Sequence, residues 1–251
     1  MKCIGRLFIS GLQMSHDLYN ALSAIESSSH YHEWIFSHFE HYIKSGDVVL
    51  DVGSGTGSIA HTFRRTPFKQ FFLTDCDDIM ISHLMTRFQG EDDRYRVEKL
   101  DIVHFNKKEH PSICAVNLVT CINVLEHIEE DFLALRNIHS ILSMRGRFLL
   151  MVPALQSIYG TLDSLGGHCR RYDKKALNQL LTKSGFKIEK QHYMNFFGIF
   201  TWFLSGKILR QKKFDPAVLM KLDRCVPVLQ AIEKIVKPPL GQSLIAISSK
   251  V

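Results

Sequence analysis

The residues best suited to chemistry lie in one short stretch, V-L-D-V-G-S-G-T-G-S-I-A, residues 49–60. An apolar run leads straight into Gly53, Gly55 and Gly57, and a helical pattern starts behind them. Glycines in such a turn let the backbone bend sharply and approach a ligand at the N-terminus of the following helix. Two cofactor classes use this arrangement. A nicotinamide dinucleotide site wants G-x-G-x-x-G, whose third glycine would fall here at Ser58. Asp51, two residues before Gly53, would repel a pyrophosphate. It would welcome the cationic amino end and sulfonium of S-adenosyl-L-methionine.

Such a site needs a second acid at the end of the next strand to hold ribose hydroxyls. Asp75 closes Q-F-F-L-T-D, 24 residues after Asp51. Asp77 competes for that role but falls after the strand, where a helix N-cap suits it better. Asp101 follows Y-R-V-E-K-L and is placed to accept from an adenine amino group. Ser54, Cys76 and Ile102, beside these positions, complete the expected cofactor contacts, with Asn123 and Leu125 of the next strand end contributing backbone and apolar packing.

A second group of reactive residues is Gly167-His168-Cys169-Arg170-Arg171-Tyr172. His168 is a candidate general base, the arginines could grip an anionic acceptor, and Tyr172 adds a phenol. A plain structural turn, its arginines paired with Asp163 and Asp173, explains the same residues. His127, just past a strand end, is a second candidate base or acceptor-positioning group. His30, His32, His38 and His41 invite a metal reading, but their spacing on a helix does not converge on a tetrahedral site. No metal is expected.

The elements that must position these groups alternate. Strand-like runs at 48–52, 70–75, 116–121 and 147–153 are separated by helical patterns near 58–65, 77–88 and 131–143. Continuous Val/Ile/Leu-rich runs between helices describe a mainly parallel sheet covered on both faces. A helix over 30–44 precedes the first strand, with Trp34, Ile35, Phe39, Tyr42 and Ile43 on one side. Residues 154–172 lack a period and form a loop or lid. A helix at 173–184 and strands at 186–194 and 243–248 follow.

Between those last strands, residues 195–242 form a two-helix insertion. Residues 196–204 are apolar on every side and are followed by Lys207, Arg210, Lys212 and Lys213, so this helix is buried or lies in a membrane interface. In the second helix Val218, Leu222, Cys225, Leu229, Ile232 and Val236 form a stripe that should pack on something. Pro227 should kink or split that helix.

The chain has 251 residues, 45% apolar and 22% charged, which are ordinary globular values. Its six cysteines are scattered, as suits a reducing cytosol. No run approaches the length of a membrane span, and the N-terminal stretch is a poor signal peptide. Residues 170–251 carry 16 Lys+Arg against 5 Asp+Glu, while the rest carries 15 against 20. A partner of the last third should be anionic, unless the charge is simply a solvated face.

With the glycine loop and its acids, V-N-L-V-T-C-I-N-V-L-E-H-I (116–128) and the strand ending at Pro153 resemble the class I S-adenosylmethionine-dependent methyltransferases. Residues 159–186 are similar to a bacterial subgroup with a GHYRRY signature, here with Cys169 where an aromatic is usual. The resemblance covers about residues 14–250. It implies a Rossmann-like α/β fold: a mainly parallel seven-stranded sheet, helices on both faces and a helical C-terminal insertion. It implies a methyltransferase domain over 30–251, including the lid and insertion, behind an extension over 1–29 whose first 13 residues are dispensable. It implies methyl transfer, but carries no acceptor with it.

The expected acceptor is a small molecule or a lipid-linked one, with peripheral membrane contact through 196–213 and otherwise a cytoplasmic location. A nucleic-acid substrate is disfavoured, because Asn-Val-Leu-Glu lacks the prolines and aromatic that hold a flipped base. A non-catalytic cofactor-binding scaffold finds no support in the intact acids.

Overall fold

The computed structural model describes residues 28–90, 92–213 and 215–251. The 1–13 segment and nearly all of the expected 1–29 extension lie outside the described residues. Strands β1 (Val48–Val52), β2 (Gln70–Asp75), β3 (Tyr95–Lys99), β4 (Val116–Ile122), β5 (Leu142–Pro153), β6 (Phe186–Met194) and β7 (Ser243–Lys250) form one sheet in the order β3-β2-β1-β4-β5-β7-β6. The first five strands are parallel, and β7 runs antiparallel to β5 and β6. The chain reverses direction across the sheet between β1 and β4, and open α/β sheets bind ligands beyond the strand ends at such a point.

Alternate strand residues enter opposite cores, as the two-residue period of a strand requires. Leu50, Val119 and Phe148 join one apolar cluster, while their neighbours Val49, Leu118 and Leu149 join the other. The covering helices are α1 (Ser29–Ser37), α2 (Ser58–Thr62), α3 (Asp78–Phe88), α4 (Asp131–Ile141), α5 (Thr161–Leu165), α6 (Lys174–Lys183), α7 (Phe196–Phe203) and α8 (Pro216–Val236).

Four expectations need correction. The helix expected over 30–44 stops at Ser37 and resumes only as a 3-10 turn, Glu40–Tyr42. Ser37 Oγ donates to the Trp34 carbonyl there, while Phe39 and Ile43 stay buried. The 154–172 lid is not all loop, for it holds a 3-10 turn and α5. Helix α8 is continuous through Pro227, whose ring sits on its exposed side.

The fourth is the apolar stripe of α8. Val218, Leu222, Cys225, Ile232 and Val236 face solvent, and Leu229 is half-buried. The packed edge is instead Asp223, Val226, Gln230 and Glu233, set against α1 and the start of α7. Asp223 accepts from the backbone N–H groups of His30 and Tyr31, and Gln230 donates to Ser37. Polar contacts to the neighbouring helix ends override the apolar period.

Candidate active site

The glycine loop leaves the end of β1 and enters α2, and three of its residues have positive φ: Gly53 (71°), Gly55 (55°) and Gly57 (77°). A side chain at Gly53 would strike Val124, and one at Gly57 would strike Phe88 and Leu84. Gly55 is different: nothing lies within 4 Å of where its Cβ would stand. Its bare backbone therefore faces open space. Ser54 locks the loop, its backbone N–H donating to Thr74 and its hydroxyl accepting from the Thr74 N–H.

Two acids flank this cradle. Asp75, at the end of β2, accepts from the Gly55 N–H (3.0 Å) and from the Asp77 N–H (3.0 Å). Asp51 is directly opposite Thr120 in the β1–β4 register, and the Thr120 hydroxyl donates to it at 2.5 Å. Burial pushes the Asp51 carboxyl up to about 6, and burial also raises Asp75. Two buried acids held beside an open glycine turn fit a ligand that carries a positive charge and paired hydroxyls. Asp77 serves as the N-cap of α3, accepting from Ile79 and Met80.

The outlying cofactor candidates divide. Asp101 is partly exposed, and its carboxylate braces a turn through Val103 and His104. Cys76 is half-buried beside Asp75. Ile102 is core, and only its backbone is exposed to other roles, accepting from Asn137. Asn123 has left-handed backbone (φ 55°) and an exposed side chain at the end of β4. Leu125 needs correction as a packing surface for a ligand: it is fully buried in the core.

The turn after β4 meets the lid. His127 and His168 lie edge to face with ring centroids 4.8 Å apart. His168 Nδ1 donates to Asp163 at 3.0 Å and His127 Nδ1 donates to the Gly167 carbonyl at 3.3 Å, so neither bond occupies the ring's Nε2. Burial, with His168 alongside, lowers His127 to about 4 and keeps it neutral. Glu126, between them, is fully buried, and neither of its carboxylate oxygens has a hydrogen-bond partner. Burial pushes it up to about 7.

Asp163 anchors the lid. It has no exposed surface and accepts from His168, from Arg171 Nε (2.7 Å) and from Trp202 of α7 (2.9 Å). Burial opposes its ionisation, but the His168 hydrogen bond, the Arg171 charge and the Trp202 donor together hold it below its ordinary value. Arg171 is buried and also donates to the Ala154 carbonyl. Of the two readings of Arg171, the acceptor-gripping cation gives way to the structural pairing with Asp163. Arg170 pairs with Asp131, not Asp173. Tyr172 is likewise a core residue, its hydroxyl donating towards Leu125 and Asp131, and burial raises its pKa.

Of the expected catalytic residues, His127 and His168 come together and Arg171 and Tyr172 stand behind them. The sequence reading missed Glu126 as a participant. Its adjacency to His127 was visible, but its burial without partners was not.

Residues 29–191 match the family described as a methyltransferase domain, and the chain belongs to that family. No curated protein matches it. Among solved structures, it is similar to the YcgJ protein of Bacillus subtilis (16% identity, 87% of this chain and 98% of that one, TM-score 0.58). It is also similar to a TehB-like S-adenosylmethionine-dependent methyltransferase of Corynebacterium glutamicum (16% identity, 98% and 93%, TM-score 0.53). A third is the magnesium protoporphyrin IX methyltransferase of Synechocystis, with bound S-adenosylhomocysteine (13% identity, 98% and 92%, TM-score 0.55). These likenesses are of fold.

Proposed function

We propose that this chain transfers a methyl group from S-adenosylmethionine to a small-molecule or lipid-linked acceptor. The observation that carries the reading is the cradle, in which Gly55 faces open space between the buried carboxyls of Asp51 and Asp75. Asp51 would hold the cationic amino-acid end, Asp75 the ribose hydroxyls and Asp101 the adenine amino group. Bound there, the cofactor supplies a methyl already attached to a sulfonium leaving group. The chain's own work is then to align the acceptor and keep water out. Trp202 and Gly206 of the insertion press on the lid at Asp163 and Thr161, which supports a covering role for residues 195–242.

At the acceptor end stand the Nε2 atoms of His127 and His168. The neutral His127 ring can take a hydroxyl acceptor's proton there. The lipid-linked option rests on the insertion's outer surface. Phe197, Phe200, Phe203 and Leu204 are exposed at its α7 end, and Arg210, Lys212 and Lys213 are exposed just beyond. No helix among the described residues is long and apolar enough to cross a membrane, so this contact would be peripheral. The free thiols of Cys76, Cys114, Cys121, Cys169 and Cys225 agree with a reducing, cytoplasmic setting. Calorimetry tests the core of the reading: one equivalent of S-adenosylmethionine or S-adenosylhomocysteine should bind, and NAD should not. Tight NAD binding with no binding of the methyl donor overturns it.

A further inference from the structure

We infer that Glu126, His127 and His168 bind a divalent first-row cation such as Zn2+ at the acceptor end of the site. The first observation is convergence: one ligand atom from each lies within 4.8 Å of those of the other two. The second is independent of it. Glu126 has no exposed surface, and both its carboxylate oxygens lack any hydrogen-bond partner. A buried carboxylate without donors is costly. Arg171, the nearby cation that could have answered it, is already committed to Asp163 and Ala154.

The histidines are prepared in the way metal ligands are. A ligating imidazole usually donates its other ring N–H to a carboxylate or backbone carbonyl, which fixes the tautomer and aims the free nitrogen. His168 donates Nδ1–H to the carboxylate of Asp163, and His127 donates Nδ1–H to the carbonyl of Gly167. Asp163 is in turn clamped by Arg171 and Trp202. Two imidazoles and one carboxylate suit Zn2+, Mn2+, Co2+ or Fe2+ better than Mg2+ or Ca2+, which prefer all-oxygen sets. Metal bonds of about 2.0–2.2 Å require the three side chains to draw together slightly.

Three protein ligands leave a coordination position open. An acceptor hydroxyl or phenol oxygen bound there would release its proton to solvent water more readily, as metal-bound water does, and would face the methyl as an oxyanion. This use of the ion rests on the methyltransferase reading; its binding does not.

Zinc affinity, measured on the full chain by competition with a chromophoric chelator, and the visible spectrum of the Co2+ form test the site. One equivalent should bind with a nitrogen/oxygen spectrum. His127→Gln, at a half-buried ligand that does not hold Asp163, should lose on the order of 100-fold in affinity, and Glu126→Gln as much. Asp163→Asn should lose about 10–100-fold by releasing His168. Binding left unchanged in folded His127→Gln and Glu126→Gln overturns the inference. So does an intense near-ultraviolet thiolate band in place of the nitrogen/oxygen spectrum, or no wild-type binding above background. Calorimetry of S-adenosylmethionine on the same metal-free samples separates the two readings: normal cofactor binding without metal binding removes the ion and leaves the methyltransferase standing.

Discussion

Asp163 and Arg171 form an ion pair sealed from water: the Oδ1 to Nε distance is 2.7 Å, and the two side chains are 0% and 1% exposed. Breaking a buried pair from one side leaves an uncompensated charge, which costs about 3–5 kcal/mol. Arg171→Ala should lower stability by that order. Arg171→Lys should fall between, because an ammonium cannot reach Asp163 and the Ala154 carbonyl through a planar fork. Denaturant titration of both variants checks this. A lysine variant as stable as wild type, with only its acceptor KM raised, would return Arg171 to a direct binding role.

Asp75 is expected to dominate cofactor affinity. Asp75→Ala removes a charged acceptor from the ribose side and also frees the Gly55 and Asp77 N–H groups that it organises. The loss in S-adenosylmethionine binding should be about 2–3 kcal/mol, the usual size for charged hydrogen bonds. Calorimetry on the folded variant reads it, and a change below threefold would exclude Asp75 from the site.

The sheet was legible because its signal is local: β1 and β2 begin and end at the residues the apolar runs marked, and Gly53, Gly55 and Gly57 all take positive φ. Asp77 as a helix cap was legible for the same reason. What depended on distant partners was not. The α8 stripe pointed to the wrong face because Asp223 bonds to α1, some 190 positions away in the chain. The pairing of Arg171 with Asp163, one of the two readings the sequence left open, is the one the fold realises, whereas Trp202 comes from the insertion and its place beside them was not legible. Glu126 was hidden in the same way, since a missing hydrogen-bond partner is a property of the packed interior.

Cofactor binding should depend on pH through Asp51, whose carboxyl burial raises to about 6. Above that value Asp51 is ionised and can pair with the cofactor's ammonium. As pH falls through about 6 it takes up a proton, and affinity should drop by up to about tenfold per unit. Asp51→Asn should bind weakly at every pH and show no such slope between pH 5 and 7. A wild-type profile flat across that range would mean that Asp51 does not meet the charged end of the ligand.

The outer face of the insertion should bind anionic membranes. Among the described residues of 196–240, Asp223 and Glu233 are turned inward onto α1 and the start of α7. That leaves Asp215 as the exposed acid among Arg210, Lys212, Lys213, Lys221, Arg224, Lys234 and Lys237. Exposed phenylalanines followed by such cations match the boundary between acyl chains and anionic headgroups. The chain should therefore float with vesicles containing phosphatidylserine or phosphatidylglycerol, and less with purely zwitterionic ones. Salt should weaken the binding, since each surface cation contributes about 1 kcal/mol that screening removes. Phe200→Asp, on a side chain that is 58% exposed, should reduce flotation severalfold without loss of folding or of S-adenosylmethionine binding. If wild type and Phe200→Asp float equally, or neither floats, this face has another occupant, and the acceptor is better sought among water-soluble molecules.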